Sequence, residues 1–269
     1  MKAGYQGEPG SYSHRAAREL LGDSERVGYP SFVSAFKALA DGEVDRLVLP
    51  IENSTTGSVL PVLDRLVEAD ASIVAEHLVE VRHALLGLPG ATIDEIKTVR
   101  SHPVALGQAE ELLLQRGWSA VPTHDTAGAV REVAELQDPS QAALAPPESG
   151  EAHGLEILLS GVIDRHHNTT RFVVLAPGPP SVDPDDDKTS IAFETSHTAG
   201  ALALALTELG LRGANLTRIE SRPAAERWNY RFFVDLVHPV GEVGLGQVIE
   251  PPPGTMTNLH VLGSYRAAE

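Results

Sequence analysis

Short apolar runs that end in polar, hydroxyl-rich loops and lead straight into helices constrain this chain more than any other feature. Leu47-Val48-Leu49-Pro50 is one such run; it passes into Ile51-Glu52-Asn53-Ser54-Thr55-Thr56-Gly57 and then a helix around Leu60–Val67. Thr98-Val99-Arg100 leads in the same way into Ser101-His102-Pro103-Val104-Ala105-Leu106-Gly107-Gln108. Further runs at 119–121 and 142–145 meet Asp125-Thr126-Ala127 and Pro146-Pro147. Strand followed by helix, repeated, predicts an α/β fold with a mainly parallel sheet and ligand loops at the strand C-termini. Ser101 and Asp125 suit helix caps and Pro103 a first helical turn, so Gln108 is expected near the positive end of its helix.

The chain has 269 residues, 42% of them hydrophobic, enough for one large domain or two smaller ones. Its formal charge of −16 argues against nucleic acid as a partner and requires a local island of positive potential for any anionic substrate. The absence of cysteine excludes disulfides, thiolate metal sites and cysteine nucleophiles. The first residues carry no apolar signal region and no run is long enough to cross a bilayer, so the expected location is the cytoplasm, away from membranes. His14, His102, His166 and His167 have no metal-ligand spacing and read as structural or solvated; no metal is expected.

The stretch from Asp164 to Thr170 is polar and then turns into Phe172-Val173-Val174-Leu175, a loop entering a buried strand. Thr170 and Arg171 stand at that strand's start, where a hydroxyl and a guanidinium are able to meet a ligand, and guanidinium suits a carboxylate. Gly7–Ser13 is a glycine-rich loop in which Ser11 or Ser13 caps the helix 15–21, either as an anion seat or as a plain cap. Residues 177–187 are rich in proline and aspartate and read as an extended linker. After it, strand 189–193, an apolar helix and strands 214–221 and 229–237 suggest a ferredoxin-like unit. Its second helix is not expected, because 240–258 holds Gly241, Gly244, Gly246 and Pro251-Pro252-Pro253.

Taken together and in order, these stretches resemble the prephenate dehydratase family with its C-terminal ACT regulatory domain. The family's glycine-rich loop is matched by Gly7–Ser13, its P-I-E-N-S…G loop by Pro50–Gly57, its S-H-P-x-A-L-x-Q segment by Ser101–Gln108, and its N-x-T-R-F segment by Asn168–Phe172. The ACT pieces are Gly200-Ala201-Leu202, the run Asn215–Pro223 and Leu262-Gly263-Ser264-Tyr265. The first loop departs from the usual Pro-Glu-Gly-Thr-Phe-Ser, and no chorismate mutase helices precede it, which implies a monofunctional form.

The resemblance implies a two-lobed catalytic domain like a type 2 periplasmic binding protein over 1–176, with lobes of roughly 1–76 plus 156–176 and 77–155. A linker at 177–187 and a ferredoxin-like (βαββαβ) ACT domain at 188–269 follow. It implies decarboxylating dehydration of prephenate to phenylpyruvate in L-phenylalanine biosynthesis, feedback inhibition by L-phenylalanine, no cofactor, and a homodimer or homotetramer. Thr170 carries over as essential, with Asn53, Gln108 and Ser101 beside it and Glu52 as an alternative acid. Arg171, Ser11, Ser54, Thr126, Ala127 and Phe172 form the expected substrate-binding set. Gly200, Ala201, Leu202, Asn215, Leu216, Glu220, Ser221, Arg222 and Pro223 form the expected effector set. Arogenate dehydration, prephenate decarboxylation and a non-catalytic amino-acid sensor are the rival readings.

Overall fold

The structure is a computed structural model that describes residues 1–162, 168–224 and 228–268. Asp164, Arg165, His166 and His167, which belong to the polar stretch above, lie outside the described residues. The chain begins β1 (Lys2–Gln6), α1 (Tyr12–Leu21), β2 (Glu25–Tyr29), α2 (Phe32–Ala40), β3 (Arg46–Asn53), β4 (Gly57–Ser58), α3 (Leu60–Leu66) and β5 (Ala71–Glu80). It continues with β6 (Ala84–Gly87), β7 (Thr98–Ser101), α4 (Pro103–Gln108), α5 (Glu110–Arg116), β8 (Ser119–Pro122), α6 (Thr126–Leu136), β9 (Gln141–Ala145), α7 (Pro147–His153) and β10 (Glu156–Ser160). Then come β11 (Thr169–Pro177), β12 (Lys188–Thr195), α8 (Ala201–Leu211), β13 (Asn215–Pro223), β14 (Tyr230–Val237), α9 (Gly241–Ile249) and β15 (Met256–Tyr265).

Among the described residues these strands form two sheets. The smaller has the order β10-β6-β9-β7-β8 and makes one lobe. The larger runs β13-β14-β12-β15-β5-β11-β3-β1-β2, with β4 paired to β3. Both are mixed rather than mainly parallel: β1 lies parallel to β2 and β3, but β11 runs antiparallel to β3 and β5. The lobe boundaries also move. β5 continues through residue 80 in the larger sheet, and β10 pairs with β6 in the smaller one, so 156–160 belongs to the second lobe and not the first.

Strand alternation divides the larger sheet's two faces. Val48, Phe172 and Val174 pack with Tyr5, Ala16 and Ala17 under α1. Leu47, Leu49, Ile51, Val173 and Leu175 pack on the other side with Ala35, Leu63, Phe233 and Tyr265. One face of β3 and β11 is therefore turned toward the C-terminal unit.

That unit is βαββαβ with strand order β13-β14-β12-β15, and its second helix is present as α9. The glycines do not break it because two of them are positions of close approach. A Cβ on Gly244 would lie 1.7 Å from the carbonyl oxygen of Pro239, and Leu245, Val248 and Ile249 fill the core beneath α8. Local helix propensity yields here to burial.

The segment 177–187 is docked rather than extended. Gly178 N–H donates to Asp70 O, and Asp187 accepts from Ala267 N–H at 2.8 Å. The two units share one sheet, joined where β15 runs parallel to β5 at Gly263 and Ile73. A Cβ on Gly263 would meet Ile73 O at 2.1 Å, a contact with backbone that no rotamer relieves. Gly263→Ala is expected to part β15 from β5 and lower stability by about 1–3 kcal/mol. Denaturant unfolding reads this; an unchanged midpoint would contradict it.

Candidate functional site

A cavity of about 270 Å³ opens between the lobes. It is lined from the larger lobe by Ser11, Tyr12, Pro50, Asn53, Thr170 and Phe172, and from the smaller by His102, Ala105, Gln108, Asp125 and Thr126. Asn168 lines it from the segment that returns to β11.

Pro50 and Asn53 are three residues apart on β3, so a regular strand would send them to opposite faces. The register against β11 slips between Arg171 and Phe172: these pair with Glu52 and Pro50, leaving Ile51 over. This bulge brings Asn53 onto the cavity face and Glu52 onto the other. On β11 the alternation is regular against β5, so Thr170 and Phe172 face the cavity and Arg171 faces away.

Asn53 is the hub. Its Oδ1 accepts from the backbone N–H groups of Thr55 (3.0 Å) and Thr56 (3.1 Å). Backbone N–H groups only donate, so the amide orientation is settled by them. Nδ2 must then be the other atom; it donates to Asn168 Oδ1 at 2.6 Å and Thr170 Oγ1 at 2.9 Å. Thr170 accepts that bond, and its own proton has no acceptor among the described residues, so the O–H is free for a ligand in the cavity. Gln108 closes the site from the smaller lobe: Nε2 donates to Thr55 Oγ1 at 3.0 Å, and Oε1 accepts from Asn168 Nδ2 at 3.0 Å. Gln108 does this from the last position of α4, which stops at Ala109 before α5 begins, and not from the helix's positive end.

Among the described residues no Lys or Arg lines the cavity. Positive potential is available from helix starts. Ser11 caps α1 with Oγ accepting from His14 N–H at 3.2 Å, and Asp125 caps α6 by accepting from Gly128 N–H at 2.6 Å. The N–H groups of the two first turns, at Tyr12–Ser13 and Thr126–Ala127, stand on opposite lobes. Burial holds His83 neutral, with its pKa lowered to about 4, and it stands 3.3 Å from the hydroxyl of Tyr12.

Several expected site residues sit elsewhere. Arg171 is not an anion seat: it is buried, and its guanidinium donates to Glu52 (3.2 Å), Glu76 (3.0 Å) and Asp235 (2.5 Å). Two neighbouring strand residues cannot both face one ligand, which is why Thr170 and Arg171 part. Glu52, with its carboxylate on Arg171, is off the cavity and is not placed to act as an acid there. Ser101 is fully buried, with Oγ donating to Leu144 O at 2.5 Å; the cap of α4 is His102. Ser54 accepts from Thr169 N–H, and Ala127 is buried in the first turn of α6; neither side chain lines the cavity. Asn168 stands out in the sequence only as part of the N-x-T-R-F segment, yet its bonds to Asn53 and Gln108 tie the lobes together.

In the C-terminal unit, Gly200, Ala201 and Leu202 line a second cavity of about 410 Å³ formed by residues 195–203. Asn215, Leu216, Glu220, Ser221, Arg222 and Pro223 lie on β13 and do not reach it within one chain. Arg222 instead makes a bidentate pair with Asp64 of the larger lobe, at 2.9 and 2.7 Å.

Residues 3–179 match the family model described as prephenate dehydratase. The chain is 36% identical, over 98% of its own length and 72% of the relative's, to "Arogenate dehydratase/prephenate dehydratase 2, chloroplastic" of Arabidopsis thaliana. It is also 36% identical, over 81% of its length and 78% of the relative's, to the "Bifunctional N-acyl-homoserine lactone acylase/prephenate dehydratase" of Komagataeibacter europaeus. A crystal structure of prephenate dehydratase in complex with L-Phe from Arthrobacter aurescens superposes with a TM-score of 0.86 at 27% identity, covering 99% of this chain and 90% of that one.

Proposed function

The chain belongs to the prephenate dehydratase family, and from that premise we propose that it converts prephenate to phenylpyruvate, water and carbon dioxide in the cavity between its lobes. The observation that carries this reading is the Thr170 hydroxyl, which accepts a bond from Asn53 and keeps its own proton for the cavity. In prephenate, loss of the ring carboxylate as carbon dioxide pushes electrons through the ring as the opposite hydroxyl leaves, and the ring becomes aromatic. The departing oxygen gathers negative charge as its C–O bond breaks. A hydrogen bond from Thr170 offsets that charge where it develops. Orientation rather than acidity is what the threonine supplies, since a hydroxyl is a weak acid, and the departing hydroxide becomes water by taking a proton from solvent.

One substrate carboxylate fits the start of α1, where the cap Ser11 is neutral, in place of the guanidinium first expected; the start of α6 already holds the Asp125 carboxylate. The shortage of anions in the cavity favours prephenate over arogenate. An amino group in place of the keto oxygen requires an anion, and Asp125, the one carboxylate among the described lining residues, has Oδ1 on the Gly128 amide and Oδ2 3.4 Å from His124 Nδ1. A buried ammonium without a partner costs several kcal/mol. Arogenate remains the second reading because the Arabidopsis relative's name carries both activities.

L-phenylalanine is the proposed effector, bound at the ACT domain near Gly200, Ala201 and Leu202, as the ligand named in the Arthrobacter structure supports. Initial rates on prephenate and arogenate, each with and without L-phenylalanine, test these points together. The expected result is a higher kcat/KM on prephenate, reduced by L-phenylalanine. Preference for arogenate would reverse the substrate assignment, and indifference to L-phenylalanine would remove the effector.

A further inference from the structure

We infer that Thr55 is a positioning residue that closes a one-way ring of hydrogen bonds across the cleft and thereby aims the Thr170 proton at the substrate. The inference rests on the function proposed above. Thr55 does not line the cavity, and Thr56 does. What singles it out is the sense of the bonds. Asn53 Nδ2 donates to Asn168 Oδ1 (2.6 Å), and Asn168 Nδ2 donates to Gln108 Oε1 (3.0 Å). Gln108 Nε2 donates to Thr55 Oγ1 (3.0 Å), and Thr55 Oγ1 donates back to Asn53 Oδ1 (2.7 Å). Four side chains form a closed circuit in which every member gives to the next.

The circuit has one permitted direction. The backbone N–H groups of Thr55 and Thr56 both point at Asn53 Oδ1, so the Asn53 amide cannot be turned over. With Nδ2 assigned, Asn168 must present its oxygen to Asn53, which leaves its NH₂ for Gln108. Gln108 must then present oxygen to Asn168 and NH₂ to Thr55, and Thr55, having accepted, has a proton left for Asn53. Such rings polarise in one sense and strengthen each member. The second hydrogen on Asn53 Nδ2 goes to Thr170 Oγ1 at 2.9 Å, the shorter of its two remaining contacts, with Thr169 O at 3.3 Å. Because Thr170 is held as an acceptor from the protein, its proton is left for the leaving oxygen.

The ring spans both lobes. Asn53 and Thr55 belong to the larger lobe, Gln108 ends α4 of the smaller, and Asn168 lies on the return segment. Opening the cleft would withdraw Gln108 and break two of the four bonds. The proton's aim is thus tied to closure: the donor is set when the substrate is enclosed.

The test uses the 269-residue chain, the single variants Thr55→Val, Thr55→Ser and Asn168→Asp, and the double variant Thr55→Val with Asn168→Asp. Turnover comes first: Thr55→Val is expected to lower kcat about tenfold with KM nearly unchanged, Thr55→Ser to restore it, and Thr55→Val with Asn168→Asp to be no worse than the poorer single variant. Side-chain amide NMR resonances test the ring without reference to activity. No hydrogen bond joins Asn168 to Thr55 among the described residues, so its NH₂ resonances are expected to shift in Thr55→Val, and to return in Thr55→Ser, through the circuit. Unmoved Asn168 resonances, a kcat within twofold of wild type, or losses that multiply in the double variant would each overturn the ring. A wild-type chain inert on both prephenate and arogenate, with the NMR shifts present, would instead sink the proposed function and leave the ring standing.

Discussion

Thr170→Ala is expected to lower kcat by about a hundredfold or more while leaving the fold and KM nearly as they are. The side chain is small and half-buried, and its neighbours on β11 hold the strand in both directions through β3 and β5. Removing the hydroxyl therefore creates little void and breaks no ladder bond. It does remove a cavity-lining hydroxyl that the Asn53 amide holds as an acceptor, leaving its proton for the substrate in the proposed reaction. The bond it makes strengthens as charge grows on the leaving oxygen, so its loss falls on the transition state rather than on substrate binding. Steady-state kinetics beside a circular dichroism melt separate the two. A kcat within tenfold of wild type would remove Thr170 from the chemistry, and a collapsed melt would make its role structural.

Arg171→Ala is expected to cost about 3–5 kcal/mol of stability and to loosen the C-terminal unit, without weakening substrate binding to the molecules that remain folded. Its guanidinium is one of three cations, with Lys188 and Arg218, that meet Glu52, Glu76 and Asp235 between the units. Asp235 is fully buried. Burial alone would push its carboxyl up, but Arg218 and Arg171 outweigh it and hold the group well below the usual carboxylate range. Taking away Arg171 leaves Asp235 with Arg218 and Glu76 with Lys188, each carboxylate short of a cation in a place water does not reach. Breaking a buried pair from one side is the costly way to break it. Denaturant unfolding and a substrate dissociation constant at a temperature where the variant is folded give the two readings. An unchanged unfolding midpoint together with a dissociation constant raised tenfold would return Arg171 to the role of anion seat.

The contrast between these neighbours shows where sequence reading stops. Polar loops after apolar runs hold Asn53 and Gln108, a polar loop before one holds Thr170, and the family resemblance added Phe172; the structure brings all four to one cavity. Residue types within a loop do not reveal which way each side chain turns. Strict alternation was available from the sequence and would have separated Thr170 from Arg171. The bulge at Ile51 was not available, since it exists only in the register between β3 and a strand more than a hundred residues later. Without that slip Asn53 would have been placed on the wrong face by the same alternation rule. Helix α9 failed in the other direction: glycines at 241, 244 and 246 read as breakers, although Gly244 is demanded by the carbonyl of Pro239. Likewise the polar composition of 177–187 concealed that β5 and β15 meet across it, at a glycine with no room for a side chain.

Product identity tests the central claim most directly. The full chain is mixed with prephenate, and the organic product and gas are identified by mass spectrometry. The account predicts phenylpyruvate and carbon dioxide in equal amounts from wild type, and almost none from Thr170→Ala. A product that retains the ring hydroxyl, or phenylpyruvate formed equally fast without the Thr170 hydroxyl, would contradict it.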